Sequence, residues 1–199
     1  MIPTLVVMLK EPRPGRVKTR LGRAIGMVPA AWWFRHQTHR LLLRLQDPRW
    51  HLVLAVSPDV EGMRSRIWPA HLPRLPQGGG SLGDRMRRML SLPGPVCVIG
   101  ADIPGITRSH IARAFRALGS HDAVFGPSPD GGYWLIGLKK GVPSGLFDGV
   151  RWSTAHALND TVKTIPDLRV TYIDVLRDVD QVADFLTMTR RRGRATSVK

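Results

Sequence analysis

Short apolar runs alternate along the chain with segments of helical periodicity. The runs rich in Val, Ile and Leu are typical of buried strands, which we predict at 2–9, 51–56, 72–75, 96–100, 123–126, 133–138 and 170–175. Apolar residues spaced three and four apart predict helices at 29–45, 57–68, 84–90, 107–118, 155–165 and 182–189. Strands that alternate with helices indicate an α/β sandwich with a mostly parallel sheet.

The segment 123–138 departs from that alternation. Two apolar runs flank the turn at 127–132, which reads Pro-Ser-Pro-Asp-Gly-Gly, so we predict a hairpin and therefore a mixed sheet. We find no internal repeat and no linker, so residues 1–189 are expected to form a single domain. Residues 190–199 are polar and basic and are expected to form a flexible, solvated tail.

Composition narrows the class of protein. The chain has 199 residues, 43% of them hydrophobic, which is enough for one folded domain and argues against disorder. Its longest apolar runs fall far short of the ~20 residues of a membrane-spanning helix, and the first run is followed by charge, unlike a signal peptide. A single cysteine, Cys97, stands between two valines, which indicates a buried thiol in a cytoplasmic protein.

The formal charge is +15, from 30 basic residues, all but six of them arginine, and 15 acidic residues. Such a charge attracts nucleic acid, phosphorylated ligands and acidic membrane surfaces. No aromatic RNA-binding signature, zinc-finger spacing or basic heptad region is present. We therefore attribute the excess first to a compositional bias, and rank nucleic acid below a small phosphorylated ligand.

The loop expected at 10–22 places Arg13, Arg16, Lys18 and Arg20 within eight residues, directly after the first strand. Open α/β sheets bind ligands at the carboxyl ends of their strands, and Gly15 would let the backbone approach a ligand closely. Arginine forks and a lysine suit a polyphosphate, although the segment is not a Walker A loop. The alternative is an ordinary solvated basic loop.

Two aspartates in segments that follow predicted strands are candidate ligand-binding residues. Asp102 comes directly after the run 96–100, where one carboxylate could hold Mg²⁺ together with substrate phosphates; the alternative, a helix cap, suits Thr107 or Ser109 better. Asp130, in the hairpin turn, could be a second carboxylate near the metal or could orient an acceptor beside Tyr133, although a plain turn explains it equally well.

The segment 78–83 matches the dinucleotide fingerprint G-x-G-x-x-G. The strand before it is short and flanked by prolines, and the fingerprint belongs in the first strand–helix turn, which here is the basic loop. We therefore predict a flexible loop that lines a nucleotide site through Gly80 and Ser81, and no NAD site.

Four motifs in order, at 12–21, 82–86, 100–105 and 126–133, resemble the DUF2064 family over about residues 2–185. That family is described as glycosyltransferase-A-like and is related to phospholactate guanylyltransferase and the molybdenum-cofactor nucleotidyltransferases. The resemblance implies a nucleotide-diphospho-sugar transferase fold, a three-layer α/β/α sandwich. It also implies that Arg16, Lys18 and Arg20 meet nucleotide phosphates and that Asp102 holds the metal. Ser81 stands where the family pattern has an acidic residue, which removes a possible base or ribose contact.

These observations favour a Mg²⁺- or Mn²⁺-dependent nucleotidyltransferase that moves a nucleotidyl group from an NTP to a small phosphorylated acceptor. The alternatives are a glycosyltransferase that uses an NDP-sugar and a non-catalytic nucleotide or nucleic-acid binding module; either enzyme could be a homodimer. The expected nucleotide-binding residues are Arg13, Gly15, Arg16, Lys18, Arg20, Gly80 and Ser81. The expected catalytic residues are Arg16, Lys18 and Asp102; the metal ligands are Asp102 and Asp130; the acceptor-binding residues are Asp130, Gly131 and Tyr133.

Overall fold

A seven-stranded sheet organises the computed structural model, which describes residues 1–177. The strands are β1 (Thr4–Lys10), β2 (His51–Ser57), β3 (Arg74–Pro76), β4 (Val96–Gly100), β5 (Ala123–Pro127), β6 (Tyr133–Leu138) and β7 (Val170–Tyr172). The helices are α1 (Thr19–Ile25), α2 (Met27–Leu45), α3 (Asp59–Arg64), α4 (Leu82–Leu90), α5 (Arg108–Ser120) and α6 (Ala157–Lys163). The helix predicted at 182–189 and the tail at 190–199 lie outside the described residues.

The strand order is β3-β2-β1-β4-β6-β5-β7. Strand β6 runs antiparallel to both β4 and β5, and every other pairing is parallel. This confirms the predicted mixed, mostly parallel sheet and the predicted hairpin of β5 and β6. It also brings the carboxyl ends of β1 and β4 to the same edge as the first residue of β6.

Helices cover both faces of the sheet, which confirms the three-layer architecture. In β1, Leu5, Val7 and Leu9 belong to the core that contains buried residues of α2 and α5. The intervening Val6 belongs to the opposite core, which contains buried residues of α4 and contacts α6. Successive side chains of a strand point to opposite faces, so a strand covered on both faces must be apolar throughout.

Strand β4 is also covered on both faces and is correspondingly apolar. Its first four residues are buried, and they alternate between the two cores. Cys97 is fully buried there, and burial raises the pKa of its thiol far above the usual range. The thiol is thus protonated and inaccessible, as its apolar neighbours predict.

Helix starts follow local capping chemistry. The Ser81 hydroxyl accepts a hydrogen bond from the Asp84 amide, and the Asp84 carboxylate accepts one from the Ser81 amide, so α4 begins two residues before its predicted start. Thr107 and His110 form the corresponding box at α5. One helix, α1, was not predicted at all and begins within the segment 10–22 that we expected to be a loop. Within residues 1–177, no helix combines the length and apolarity needed to cross a bilayer.

Candidate functional site

A cavity of about 470 Å³ opens at the carboxyl ends of β1 and β4. Among residues 1–177, its polar wall carries four cationic residues and one carboxylate: Lys10, Arg16, Lys18, Arg20 and Asp102. Its apolar wall includes Leu82 and Met86 of α4 and Tyr133 at the start of β6. We call it the donor cavity. It lies where an open α/β sheet binds ligands, and its cations provide the charge that a polyphosphate needs.

Lys18 joins the basic loop to α1 and points into this cavity. Its backbone adopts the left-handed conformation (φ 47°, ψ 44°), which allows the chain to turn from the loop into the helix. Its side chain is only 4% exposed, and Nζ donates a hydrogen bond to Oδ2 of Asp102 at 3.1 Å. The two residues that the end-of-strand argument placed at this edge are therefore in direct contact; their functional roles stay predictions.

The other basic residues of the loop are held differently. Nη1 of Arg16 lies 3.6 Å from Oε1 of Glu61 on α3, and Nη2 of Arg13 lies 3.2 Å from its Oε2. Arg16 and Arg20 line the donor cavity, whereas Arg13 lies outside its lining. Gly15 has φ of +76° and open space where a side chain would begin, so it serves the turn between the two arginines.

A second cavity, of about 220 Å³, adjoins the first. Its walls carry three aromatic residues, Tyr133, Trp134 and Trp152, and two carboxylates, Asp102 and Asp130. We call it the aromatic cavity. The two cavities share Asp102 and Tyr133, so a ligand in one lies next to a ligand in the other.

The hairpin turn supports this second cavity. Oδ1 of Asp130 accepts a hydrogen bond from the Gly132 amide at 3.0 Å. Gly131 has φ of +83°, and a Cβ there would lie 2.1 Å from the carbonyl oxygen of Ala155. The Leu158 amide donates to the Gly131 carbonyl at 3.0 Å, which fixes the turn against α6. Gly131, expected at the acceptor, thus contacts backbone and lies outside both cavity linings.

Gly80 and Ser81, expected at the nucleotide, also lie outside both linings. The Ser81 hydroxyl is engaged in the cap of α4, donating to Oδ2 of Asp84 at 2.7 Å. Gly80 lines a separate surface cavity beside Arg87 and Arg88. Of the segment 78–83, only Leu82, the first residue of α4, lines the donor cavity.

Comparison with known proteins identifies the family. The family model DUF2064, described as an uncharacterized protein conserved in bacteria, matches residues 41–154. The chain belongs to the DUF2064 family. The earlier resemblance is therefore confirmed. No curated protein sequence matches the chain at a significant level.

Solved structures agree with this DUF2064 fold. A candidate nucleotide-diphospho-sugar transferase from Desulfovibrio desulfuricans G20 is 31% identical, with a TM-score of 0.85 over 95% of this chain and 87% of that chain. A 4-diphosphocytidyl-2C-methyl-D-erythritol synthase from Anaerococcus prevotii is 10% identical, with a TM-score of 0.60 over 96% of each chain. Rv0371c of Mycobacterium tuberculosis H37Rv, solved with manganese, is 14% identical, with a TM-score of 0.54 over 94% of this chain and 98% of that chain. At 10% and 14% identity, the last two comparisons show only that the fold is shared.

The DUF2064 site fits a divalent cation that a substrate helps to bind. Residues 1–177 hold no group of three or more His, Cys, Asp or Glu side chains that could enclose a metal. Mg²⁺, however, is commonly held by one or two carboxylates together with substrate phosphates. Asp102, whose side chain is 45% exposed, could be such a carboxylate beside the cations of the donor cavity, and Asp130 lines the adjoining aromatic cavity.

Two residues of the site escaped the sequence analysis. Glu61 pairs with Arg13 and Arg16 of the loop, but it lies on α3, far along the chain. Gln77 is 4% exposed, and its Nε2 donates to the carbonyls of Leu9 at 3.1 Å and Ala55 at 2.8 Å, tying together β1 and β2 beside the donor cavity. Gln77 could have been noticed, because it is a polar residue directly after the edge strand β3. Nothing in the sequence indicates a role for Glu61 at this site.

Proposed function

We propose that this DUF2064 protein is a transferase with a nucleotide donor, and specifically a metal-dependent nucleotidyltransferase that uses an NTP. The observation that carries the proposal is the donor cavity at the carboxyl ends of β1 and β4, which Lys10, Arg16, Lys18 and Arg20 line together with Asp102. Four cationic side chains and one carboxylate suit a triphosphate, because each phosphate oxygen can accept a charge-assisted hydrogen bond.

In this reaction an oxygen of the acceptor attacks the α-phosphorus of the donor in line, and pyrophosphate leaves. Lys18 with Arg16 and Arg20 would bind the β- and γ-phosphates and stabilise the charge that develops on the leaving group. Asp102 would hold Mg²⁺ or Mn²⁺ together with the donor phosphates, whose charge the metal would neutralise, and Asp130 would position the acceptor. The aromatic cavity would position the acceptor.

The second candidate is a glycosyltransferase that uses an NDP-sugar. The relative from Desulfovibrio desulfuricans, described as a candidate nucleotide-diphospho-sugar transferase, favours it. The paired carboxylates of a glycosyltransferase Asp-x-Asp motif are missing at Asp102, because Pro104 stands two residues later. The donor cavity is compatible with both donors, since both carry a nucleoside diphosphate.

The leaving group distinguishes the two candidates. The protein is first tested for thermal stabilisation by each NTP and by NDP-sugars, with and without Mg²⁺, because specific binding raises the melting temperature. It is then incubated with each stabilising donor and a panel of acceptors. Pyrophosphate release supports nucleotidyl transfer, and NDP release from an NDP-sugar supports glycosyl transfer.

Lys18→Met is expected to reduce donor stabilisation, and Lys140→Met, which changes an exposed lysine outside both cavities, is the matched control. If no donor stabilises the wild-type protein, or if Lys18→Met binds donors as well as Lys140→Met, the proposed function is wrong.

A further inference from the structure

The two adjoining cavities differ sharply in charge. The donor cavity has four cationic residues against one carboxylate, Asp102. The aromatic cavity has two carboxylates, Asp102 and Asp130, and no Lys, Arg or His of residues 1–177 belongs to its lining. The chain has 30 basic and 15 acidic residues, so a cavity whose described lining carries only acidic charges runs against its composition. One of these two carboxylates, Asp102, is paired with Lys18 of the donor cavity, which leaves Asp130 as the charge that distinguishes the aromatic cavity. The difference bears directly on which ligands can enter each cavity.

The carboxylate of Asp130 has one oxygen engaged and one available. Oδ1 accepts the Gly132 amide, while no described residue donates to Oδ2. An ionised carboxylate only accepts hydrogen bonds, so a ligand here must donate them. Ser128 and Ser153 add hydroxyl groups to the same lining, which can pair with hydroxyl groups of a ligand.

The rest of the wall is aromatic and the space is small. Trp152 is half-buried and packs against Phe147, with ring centroids 5.6 Å apart. Trp134 is anchored by its Nε1, which donates to the Asp174 carbonyl at 2.8 Å. The volume of about 220 Å³ lies below the ~300–1,000 Å³ typical of sites for drug-sized ligands. Such walls contact the apolar faces of a small ligand.

We propose that the aromatic cavity binds a small, hydroxyl-bearing acceptor that carries no anionic group, with Asp130 as the residue that selects it. The inference rests on the proposed function, since it assumes that the nucleotide donor binds in the adjoining donor cavity. It departs from the phosphorylated acceptor expected from the sequence. A phosphate in this cavity would lie beside Asp130, and none of the described lining residues is a cation that could neutralise it, so the two like charges would repel.

The transfer step is balanced with such an acceptor. The acceptor hydroxyl oxygen forms a bond to the α-phosphorus, while the bond from that phosphorus to the bridging oxygen of the β-phosphate breaks. The bonding electrons leave with pyrophosphate, which the cations of the donor cavity hold. The hydroxyl proton passes to Oδ2 of Asp130 and then to solvent.

A first measurement tests the charge of the cavity without knowledge of the acceptor. Fluorescence from Trp152, obtained as the difference between wild type and Trp152→Phe, is quenched with caesium and with iodide. We expect caesium to quench at least twofold better than iodide, relative to free tryptophan, and Asp130→Lys to reverse that order. Trp32, 59% exposed on α2, is treated in the same way as the control outside both cavities. Stronger quenching of Trp152 by iodide would contradict the proposal.

A second measurement uses two matched pools of acceptors with a donor that stabilises the protein. One pool contains glycerol, glucose, mannose and inositol; the other contains their phosphate esters. The neutral pool is expected to raise donor consumption at least tenfold more than the phosphorylated pool. Asp130→Asn should narrow this preference, and Asp167→Asn, an exposed carboxylate outside both cavities, should leave it unchanged.

A response confined to the phosphorylated pool, or to neither pool, contradicts the proposal. Absence of donor stabilisation in the wild-type protein instead contradicts the proposed function. In that case the quenching ratio still reports whether the aromatic cavity is anionic, so the two failures are distinguishable.

Discussion

Lys18 and Asp102 lie 84 positions apart in the sequence, and the ammonium of one is 3.1 Å from the carboxylate of the other. The lysine side chain is 4% exposed, whereas the aspartate is 45% exposed. A buried ammonium is costly unless it is paired, so Asp102 stabilises Lys18 in the cavity wall. A divalent cation that binds Asp102 must approach a carboxylate that Lys18 already pairs with, and donor phosphates offer the lysine other acceptors.

Lys18→Met is therefore expected to have opposite effects on two ligands. A nucleoside triphosphate should bind at least tenfold more weakly, because a charge-assisted hydrogen bond contributes about 1.5–3 kcal/mol. Mn²⁺ alone should bind more tightly, because the cation that competes for Asp102 is gone. Titration calorimetry measures the first affinity, and electron paramagnetic resonance of free Mn²⁺ measures the second. Lys140→Met should change neither, and a parallel loss of both affinities in Lys18→Met would mean that the lysine only supports the fold.

Most of the sheet could be predicted because its strands are buried on both faces. Strand β4 matches its predicted bounds, since a continuous apolar run closed by glycine allows few alternatives. The hairpin of β5 and β6 followed from its turn residues. Helix α1 was missed because Lys18 begins it in a left-handed conformation, without a side-chain cap, and because burial of Leu21 and Gly22 stabilises it. Tertiary packing of that kind leaves no local pattern.

The candidate site was partly predictable for a similar reason. The rule that ligands bind at the ends of parallel strands placed Lys18 and Asp102 at one edge, and the structure joins them. Glu61 could not be placed, because nothing local shows that α3 lies beside the basic loop. Ser81 was assigned to a nucleotide, but its hydroxyl caps α4. A serine in a loop before a helix is equally typical of an N-cap, so the sequence does not distinguish the two roles.

Neutralising Glu61 should strengthen donor binding at low salt. Glu61 pairs with Arg13 and Arg16, and all three side chains are between 33% and 58% exposed, so each pair contributes little to stability. Glu61→Gln removes a negative charge beside the cations that would bind phosphate. We expect triphosphate affinity to rise about two- to fivefold in 20 mM salt and the gain to vanish near 0.5 M, where exposed charges are screened. Asp167→Asn, with the same change in charge, should show no gain, and weaker binding by Glu61→Gln would mean that Glu61 positions Arg16.

Acid should destabilise the segment that carries Trp152. Hydrogen bonds from the Arg151 guanidinium lower the pKa of Asp160 to about 2, at distances of 2.8 and 2.9 Å. Because the folded pKa lies below the unfolded value, this pair stabilises the fold above about pH 4, and its contribution disappears as the pH falls toward 2. Asp160→Asn should be less stable than wild type at pH 7, and the two should converge near pH 2. Urea unfolding at a series of pH values measures this, and a constant difference from pH 7 to pH 2 would contradict it.

Gly131 should tolerate no side chain, because two separate costs coincide there. Its φ of +83° is in the left-handed region, and an added Cβ would lie 2.1 Å from the carbonyl oxygen of Ala155. Gly149 is the matched control: its φ is +70°, but nothing lies within 4 Å of the added Cβ. Gly149→Ala should therefore lose about 1–2 kcal/mol of unfolding free energy for its backbone alone. Gly131→Ala should lose clearly more, because the hairpin turn must move away from the segment before α6. That displacement would also shift Asp130, so any remaining folded Gly131→Ala should lose its preference between neutral and phosphorylated acceptors. Urea unfolding of the two variants provides the comparison, and equal losses would show that the Ala155 contact relaxes without cost.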